Sequence, residues 1–473
     1  MIKVIEIEKH SMKNYDILFK QITEKIAHTD FSGYTVQYPP LFLWKSIDSG
    51  IEILNAWKSI LGKKQKYLGL YVHLPFCKQR CSYCRYFALK LKRQSVLEDY
   101  LSALKKEIQI YRKVFYKSPI RSVYFGGGTP SLLSIRQLDD LFSYIYVNFN
   151  LSQYQQIIFE GNSDFLDFKK LKLLKKWGVN RLTIGVQSLD PKVIKAVNRY
   201  QSQNSFLECF QSARKAKIEN INVDLMAGLP SQTIKSAFQT LKTVIKLRPE
   251  MIHVHPFYPT ISSTFIQKGQ RLSEQNMEIR EKIVLMSQRL IQKAGYKPIK
   301  FDADGENETA RNIQLSDAIE YNAPFLGLGA GAVSHATNYV RYVNTTDINE
   351  YINKLNKGKL PILSGCHLTK KDEMIYFVTS SLRYGTVDKF RFRKLFNIDL
   401  NSVFPEEIIY LKKRNKIIDN QRFIVSKMRN IGEYLIYSKY FYDKKLIFNF
   451  RKGFLNTNIK RKLKEKDIRY MLL

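Results

Sequence analysis

The 473-residue sequence is short of three things. Cysteine is scarce: five residues are too few for a disulfide framework in a chain of this length. Long apolar runs are missing, and none approaches the roughly 18–20 residues that cross a bilayer. The amino-terminal Met1-Ile-Lys-Val-Ile-Glu-Ile-Glu-Lys9 interleaves charges and lacks the apolar core of a signal peptide. A cytoplasmic setting without a membrane span is therefore expected. Acidic residues are the third shortage, with 42 Asp and Glu against 77 Lys and Arg, a formal net charge of +35. That balance fits nucleic acid, an anionic membrane surface or an acidic substrate. Most lysines, however, are scattered over amphipathic helical stretches such as 169–176 instead of forming a stripe, so nucleic acid is not the expected partner. The exception is the tail 451–473, where Lys and Arg far outnumber Glu465 and Asp467.

What is present describes a globular α/β protein. Hydrophobic residues make up 44% and aromatics 13%, enough for a large core with appended domains. Six short apolar runs lie at 68–73, 122–125, 156–160, 181–185, 220–227 and 251–257. Each is too short for a helix and rich in Val, Ile, Tyr or Phe, which predicts buried strands. Helix signals separate them. Ser134 with Gln137 makes a capping box, Asp190-Pro191 an N-cap and N1 proline, and Gly178 closes a lysine-rich helix. Six β–α units predict a parallel sheet curled into a partial (β/α)6 barrel, with chemistry at the carboxyl ends of its strands. The expected layout is a helical arm at 1–66, the barrel at 67–300 and a connecting segment at 301–365 holding Gly327-Leu-Gly-Ala-Gly-Ala-Val-Ser-His335. A winged-helix-like domain at 366–445, opened by the Thr369/Asp372 cap, and a basic tail at 446–473 complete it.

Chemistry concentrates just after the runs. Cys77-Lys-Gln-Arg-Cys81-Ser-Tyr-Cys84 follows the first, and three thiolates at this spacing can hold three corners of a [4Fe–4S] cube, leaving one iron open. A closed zinc site would need a fourth ligand. The nearby His73 sits inside the strand, where it is better placed to support the loop. Cys209 and Cys366 stand alone as ordinary thiols. Gly126-Gly-Gly-Thr129-Pro130, after the second run, exposes backbone groups to an ammonium or carboxylate. Glu160 ends the third run as an isolated carboxylate. Gln187, Arg199 and Asp224 follow or end later runs and form the parts of a polar ligand clamp. His255 and Tyr258, at the sixth, suit acid–base or radical-quenching work, although a packed strand-end histidine is an equal reading.

Taken together, Tyr71-Val-His-Leu-Pro-Phe-Cys77, Cys81-Ser-Tyr-Cys84, Gly126-Gly-Gly-Thr-Pro130, Arg181-Leu-Thr-Ile-Gly-Val-Gln187, Val197-Asn-Arg199 and Val223-Asp-Leu-Met-Ala-Gly-Leu-Pro230 resemble the oxygen-independent coproporphyrinogen III oxidase family of radical S-adenosylmethionine (SAM) enzymes. The resemblance implies a [4Fe–4S] cluster on Cys77, Cys81 and Cys84 and two SAM molecules. Tyr71, Gly127 and Glu160 would meet the cluster-bound SAM. Tyr83, Gly128, Thr129, Gln187, Arg199 and Asp224, with Tyr258 and Val333 in addition, would meet the second. Tyr83, His255 and Tyr258 are the catalytic candidates. A flavodoxin or ferredoxin as reductant, a small-molecule and possible tetrapyrrole substrate, and a monomeric state are also implied. Three departures bear on the reaction. Tyr86 stands where the oxidases carry a further cysteine, Gly33 replaces an arginine of the arm, and Glu320-Tyr-Asn-Ala-Pro-Phe325 replaces the Asn-x-x-Tyr-Trp of related haem chaperones. They turn the expectation toward methyl or methylene transfer to an unsaturated carbon. Oxidative decarboxylation of propionates, or haem binding by a non-catalytic chaperone, are the alternatives.

Overall fold

The computed structural model describes residues 38–443 apart from 41–42, 48, 63–66, 152–153, 260–262, 300–303, 306–309, 429–432 and 435–436. Most of the predicted arm, including Gly33, and the basic tail lie outside the described residues.

All six predicted runs are strands: β1 (Gly69–Leu74), β2 (Ser122–Gly127), β3 (Gln156–Gly161), β4 (Arg181–Gln187), β5 (Asn220–Ala227) and β6 (Met251–Pro256). Each pairs in parallel with the next. The helices between them begin where the sequence places them. Ser134 and Gln137 form the capping box of α3 (Ile135–Asn148), and Asp190 caps α5 (Pro191–Ala196) with Pro191 in its first turn. Before them α1 (Gly50–Leu61) and α2 (Gln94–Phe115) precede β1 and β2, and α4 (Phe168–Lys176) ends before Gly178, which adopts φ +83°. Then α6 (Gln203–Lys215), α7 (Ile234–Leu247) and α8 (Glu274–Lys293) complete the layer.

The strand period of two sorts the side chains. Leu70 and Val72, Val123 and Phe125, Ile157 and Phe159, Leu182 and Ile184, and Ile221 and Val223 are fully buried in one core with residues of α2 and α3 such as Leu104 and Phe142. The alternate positions carry Tyr71, Tyr124, Glu160, Thr183, Asp224 and His253, with Tyr71 opposite Tyr124, Glu160 opposite Thr183 and Asp224 opposite His253. One face of the sheet is a hydrophobic floor for helices; the other is polar.

The segment expected as a connection instead extends this sheet. After α9 (Ile313–Glu320), β7 (Phe325–Leu328) lies parallel to β1, and β8 (Val333–Ala336), β9 (Val340–Asn344) and β10 (Ile362–His367) follow antiparallel, with α10 (Ile348–Asn356) before the last. The glycine-rich stretch is the β7–β8 turn, with Gly329 at φ +105°, and a Cβ there would lie 2.5 Å from the His73 carbonyl oxygen. Only glycine permits that approach.

Beyond β10, α11 (Lys370–Arg383), β11 (Thr386–Asp388), α12 (Lys389–Phe396), α13 (Pro405–Lys413), β12 (Ile417–Asp419) and β13 (Phe423–Ser426) form a winged-helix-like unit with its own core. It is fastened to the sheet. Glu373 of α11 takes bonds from Asn322 at 2.9 Å and meets His335 of β8 at 3.1 Å, both in the buried interior. Arg391 of α12 pairs with Glu320 at 2.9 Å.

Candidate active site at the mouth of the partial barrel

Phe76–Cys77 pairs in parallel with Leu89–Lys90, so the residues between form a closed loop at the carboxyl end of β1. A strap after α5 holds that loop. The Ser82 amide donates to the Val197 carbonyl at 2.9 Å. The Gln79 amide donates to the carbonyl and the side-chain oxygen of Asn198, at 3.0 and 2.6 Å, and Asn198 Nδ2 donates to the Arg80 carbonyl at 2.9 Å. Asn198 adopts φ +52°, a conformation asparagine tolerates better than most residues. Arg199 then donates to the Tyr83 hydroxyl at 3.0 Å, to Cys81 Sγ at 3.7 Å and to the Gly185 carbonyl.

Cys77, Cys81 and Cys84 line one cleft that opens to solvent. Burial pushes the Cys77 thiol up to about 12 and the Cys84 thiol up to about 11, so neither would ionise alone near neutrality. A bound cation reverses that balance, because thiolate is the form that ligates metal. Thr129 donates to Cys77 Sγ at 3.2 Å, and donors of this kind to sulfur tune iron–sulfur clusters. A three-thiolate set with donors at its sulfurs fits a [4Fe–4S] cluster.

The polar face of the sheet supplies the cleft wall. Glu160 accepts a bond from the Tyr124 hydroxyl, and burial raises its carboxyl to about 7. On the opposite side, Asn222 donates to Asp224 at 2.7 Å. Burial raises the Asp224 carboxyl, but His255, His253 and Asn222 together hold it below the usual range. Burial drives the His253 imidazole down to about 3, helped by the neighbouring His255. Gln187 ends β4 at φ +66°, beside a register shift. A non-glycine residue in that region is strained and tends to mark a site.

Of the residues singled out in the sequence, the three cysteines, Tyr83, Gly127, Gly128, Thr129, Glu160, Gln187, Arg199, Asp224, His255 and Tyr258 line this cleft. Gly128 also packs against the loop, since a Cβ there would come 2.7 Å from the Phe76 carbonyl oxygen. Tyr258 lies under the Arg280 guanidinium, 4.1 Å from its ring centre. Two of the expected residues are not among those lining the cleft. Val333 is the first residue of β8 and packs near Trp44 and Val343, away from the cleft. Tyr71 lies one layer beneath the lining, its hydroxyl 2.9 Å from His73 Nδ1. Sequence reading missed Tyr124, whose signal was its place two residues before Gly126 on the face of Glu160. It also missed His253, two residues from His255, and the rim formed by Lys78, Phe165 and Tyr200, where the Lys78 ammonium sits 3.9 Å from the Tyr200 ring centre. Those three are far apart in sequence and carry no local pattern.

Comparison with known proteins matches this architecture. Residues 71–244 match the radical SAM superfamily. The oxygen-independent coproporphyrinogen III oxidase of Pseudomonas aeruginosa is 30% identical over 363 residues, covering 72% of this chain and 77% of the relative. The chain belongs to this radical SAM family. Within it, the heme chaperone HemW of Bacillus subtilis is 29% identical over 374 residues, covering 75% of this chain and 97% of that protein. The structure of coproporphyrinogen III oxidase (HemN) from Escherichia coli superposes with a TM-score of 0.75 over 86% of this chain and 96% of its own, at 23% identity, which establishes the shared fold. The family thus joins oxidases and chaperones on one scaffold. Membership brings a [4Fe–4S] cluster and SAM to a chain whose cysteine loop fits them. Among the described residues no helix is long and apolar enough to cross a membrane.

Proposed function

We propose that this protein is a radical SAM enzyme that binds two SAM molecules and transfers a one-carbon unit to an unsaturated carbon of a tetrapyrrole-class substrate. The observation that carries the reading is the pair of polar patches, Glu160 on one side and Gln187 with Asp224 on the other, flanking the cysteine loop in one cleft. With the cluster and SAM bound, the site supplies one-electron cleavage of SAM to a 5′-deoxyadenosyl radical, the electron coming from a flavodoxin or ferredoxin in a cytoplasmic setting.

The chain's own residues bind and orient. Glu160, with a carboxyl near 7, gives up its proton to receive an ammonium group beside the exposed backbone of Gly127. Tyr83, held by Arg199, forms the wall between the two patches. Asp224 and Gln187 offer oxygen acceptors on the far side, while Gly128 and Thr129 line the same cleft beside the cysteine loop. His255 and Tyr258 line the cleft that a substrate would enter, and Lys78 and Arg85 add positive charge to its lining for the substrate's carboxylates.

Similarity to the oxidases favours a second reading, oxidative decarboxylation of propionates; similarity to HemW favours haem binding without catalysis. Tyr86 in place of the oxidases' further cysteine supports the first reading over the second. One experiment separates the three. Reconstituted protein is incubated anaerobically with reductant, SAM and either coproporphyrinogen or haem, and the products are identified by mass spectrometry. The expected result is 5′-deoxyadenosine, S-adenosylhomocysteine and a methylated or ring-opened tetrapyrrole. Protoporphyrinogen without S-adenosylhomocysteine would establish decarboxylation, and haem binding without any 5′-deoxyadenosine would establish the chaperone.

A further inference from the structure

Asp224, His253 and His255 stand together on the polar face of the sheet, on β5 and β6, while the cysteine loop follows β1. Register brings them there. β5 and β6 run parallel with Asp224 opposite His253, and the two-residue repeat puts His255 on the same face one step nearer the mouth. The two imidazole centres are 3.6 Å apart. His255 Nε2 lies 3.9 Å from Asp224 Oδ2, and one ligand atom from each of the three residues lies within 4.8 Å of the others. Asn222 occupies Asp224 Oδ1 at 2.7 Å, which fixes the carboxylate and leaves Oδ2 for the imidazoles.

We propose that Asp224, His253 and His255 form a binding site for a first-row divalent metal ion, distinct from the cysteine cluster. The 3.9 Å gap is too long for a good hydrogen bond but close to the spacing of two ligands on one ion. Bonds of about 2.0–2.2 Å to nitrogen or oxygen put two ligand atoms of a tetrahedral ion about 3.4 Å apart, so the 3.9 Å pair needs to close by about half an ångström. The two remaining pairs, each within 4.8 Å, close by side-chain rotations, which the partial exposure of the His255 ring permits. Two imidazoles and one carboxylate are a donor set for zinc or iron(II), and three protein ligands leave coordination positions open. Asp224 and His255 also line the cleft, so the open position faces the space a substrate would enter and would take a water or an anionic oxygen such as a carboxylate. Asn222 is the outer partner that orients the carboxylate, as metal-ligating groups usually require. The inference goes beyond the proposed function and does not rest on methylene transfer. With Oδ1 held by Asn222 and Oδ2 on the ion, Asp224 would meet a second SAM through the ion's open position and not directly, and the test contains no SAM.

The test loads cluster-reconstituted full-length protein with one equivalent of Zn²⁺, removes free metal, and counts zinc and iron by mass spectrometry. The expected result is one zinc per chain in addition to the cluster iron. His253→Gln and His255→Gln should each weaken zinc retention by at least about tenfold at unchanged iron content, and Cys77→Ser should keep the zinc while losing iron. Co²⁺ in place of zinc should give ligand-field absorption without a sulfur-to-cobalt charge-transfer band. Failure to retain zinc, equal retention in the His255→Gln protein, or loss of zinc with Cys77→Ser would each overturn the proposal. If His253→Gln does not fold, His255→Gln decides alone, because its side chain is 35% exposed and its replacement leaves the core intact.

Discussion

His73 Nε2 lies 3.0 Å from the carbonyl oxygen of Phe87, the second residue past the loop's exposed Tyr86 neighbour Arg85. A carbonyl only accepts, so Nε2 carries the ring proton and Nδ1 is left to accept from the Tyr71 hydroxyl at 2.9 Å. The imidazole thus ties the end of the cysteine segment to β1, and it orients a phenol beneath the cleft. Burial drives its pKa down to about 4, which keeps it neutral.

Replacing His73 with Phe keeps the ring's volume but leaves the Phe87 carbonyl and the Tyr71 hydroxyl without that partner, at a cost of about 1–3 kcal/mol. Urea unfolding of the apo-protein should show a lower midpoint at unchanged slope. The pH dependence carries a sign. A base whose folded pKa is about 4 against an unfolded value near 6.5 contributes stability that is complete above about pH 6.5 and is lost as pH falls toward 4. The gap between wild type and His73→Phe should therefore narrow on acidification through that window; a constant gap would contradict the account.

The proposed role of Glu160 predicts pH-dependent SAM binding. With its carboxyl raised to about 7, the ionised form that receives an ammonium becomes scarcer below that pH. SAM affinity of the reconstituted protein should fall up to about tenfold per pH unit below 7 and level off above it. Glu160→Gln should bind more weakly and lose this slope. Equilibrium dialysis across pH 5.5 to about 8 measures both.

Asn198 should prove important to iron retention although it touches no sulfur. Asn198→Ala removes the bonds to Gln79 and Arg80 and places a residue with a Cβ and no polar compensation at φ +52°. The expected outcome is roughly 10–100-fold weaker cluster retention, read as iron per chain after chelator challenge, with the far-ultraviolet circular dichroism unchanged.

Glu107 of α2 is fully buried, accepting from Tyr351 at 2.6 Å, Gly329 at 2.8 Å and Asn344 at 2.7 Å, and burial raises it to about 7. An acid raised in the fold contributes stability below its unfolded pKa that is lost as pH rises toward 7. Glu107→Gln turns an amide donor toward a donor and should cost about 1–3 kcal/mol near pH 5. That cost should shrink toward pH 7, which denaturant titrations at the two pH values would reveal.

Much of this was legible in the sequence because the physics was local. The six runs are strands since each is a short β-branched and aromatic segment between capped helices. Glu160 and Asp224 interrupt such runs, and the two-residue repeat puts them on the face that helices do not cover. The β7–β9 extension was illegible for a matching reason. Its strands are only four or five residues long, and the glycine–alanine turn 329–332 joins β7 to β8, so no run is long enough to stand out alone. Pairing with β1 and the close approach to His73 place them. Arg199 was found but its partners were not, since Tyr83, Cys81 and the Gly185 carbonyl come from three distant segments. Val333 was carried by resemblance alone, and it is not among the residues that line the cleft.

The strap from Val197 to Arg199 has a consequence for how iron comes and goes. Small metal domains often fold only when their metal arrives, because nothing else orders the ligands. Here amide, guanidinium and backbone bonds hold the cysteine loop to the rest of the barrel without calling on iron. Cluster insertion then meets a nearly finished receptacle, and destruction of the cluster by oxygen would leave a folded protein ready for repair rather than a chain marked for degradation.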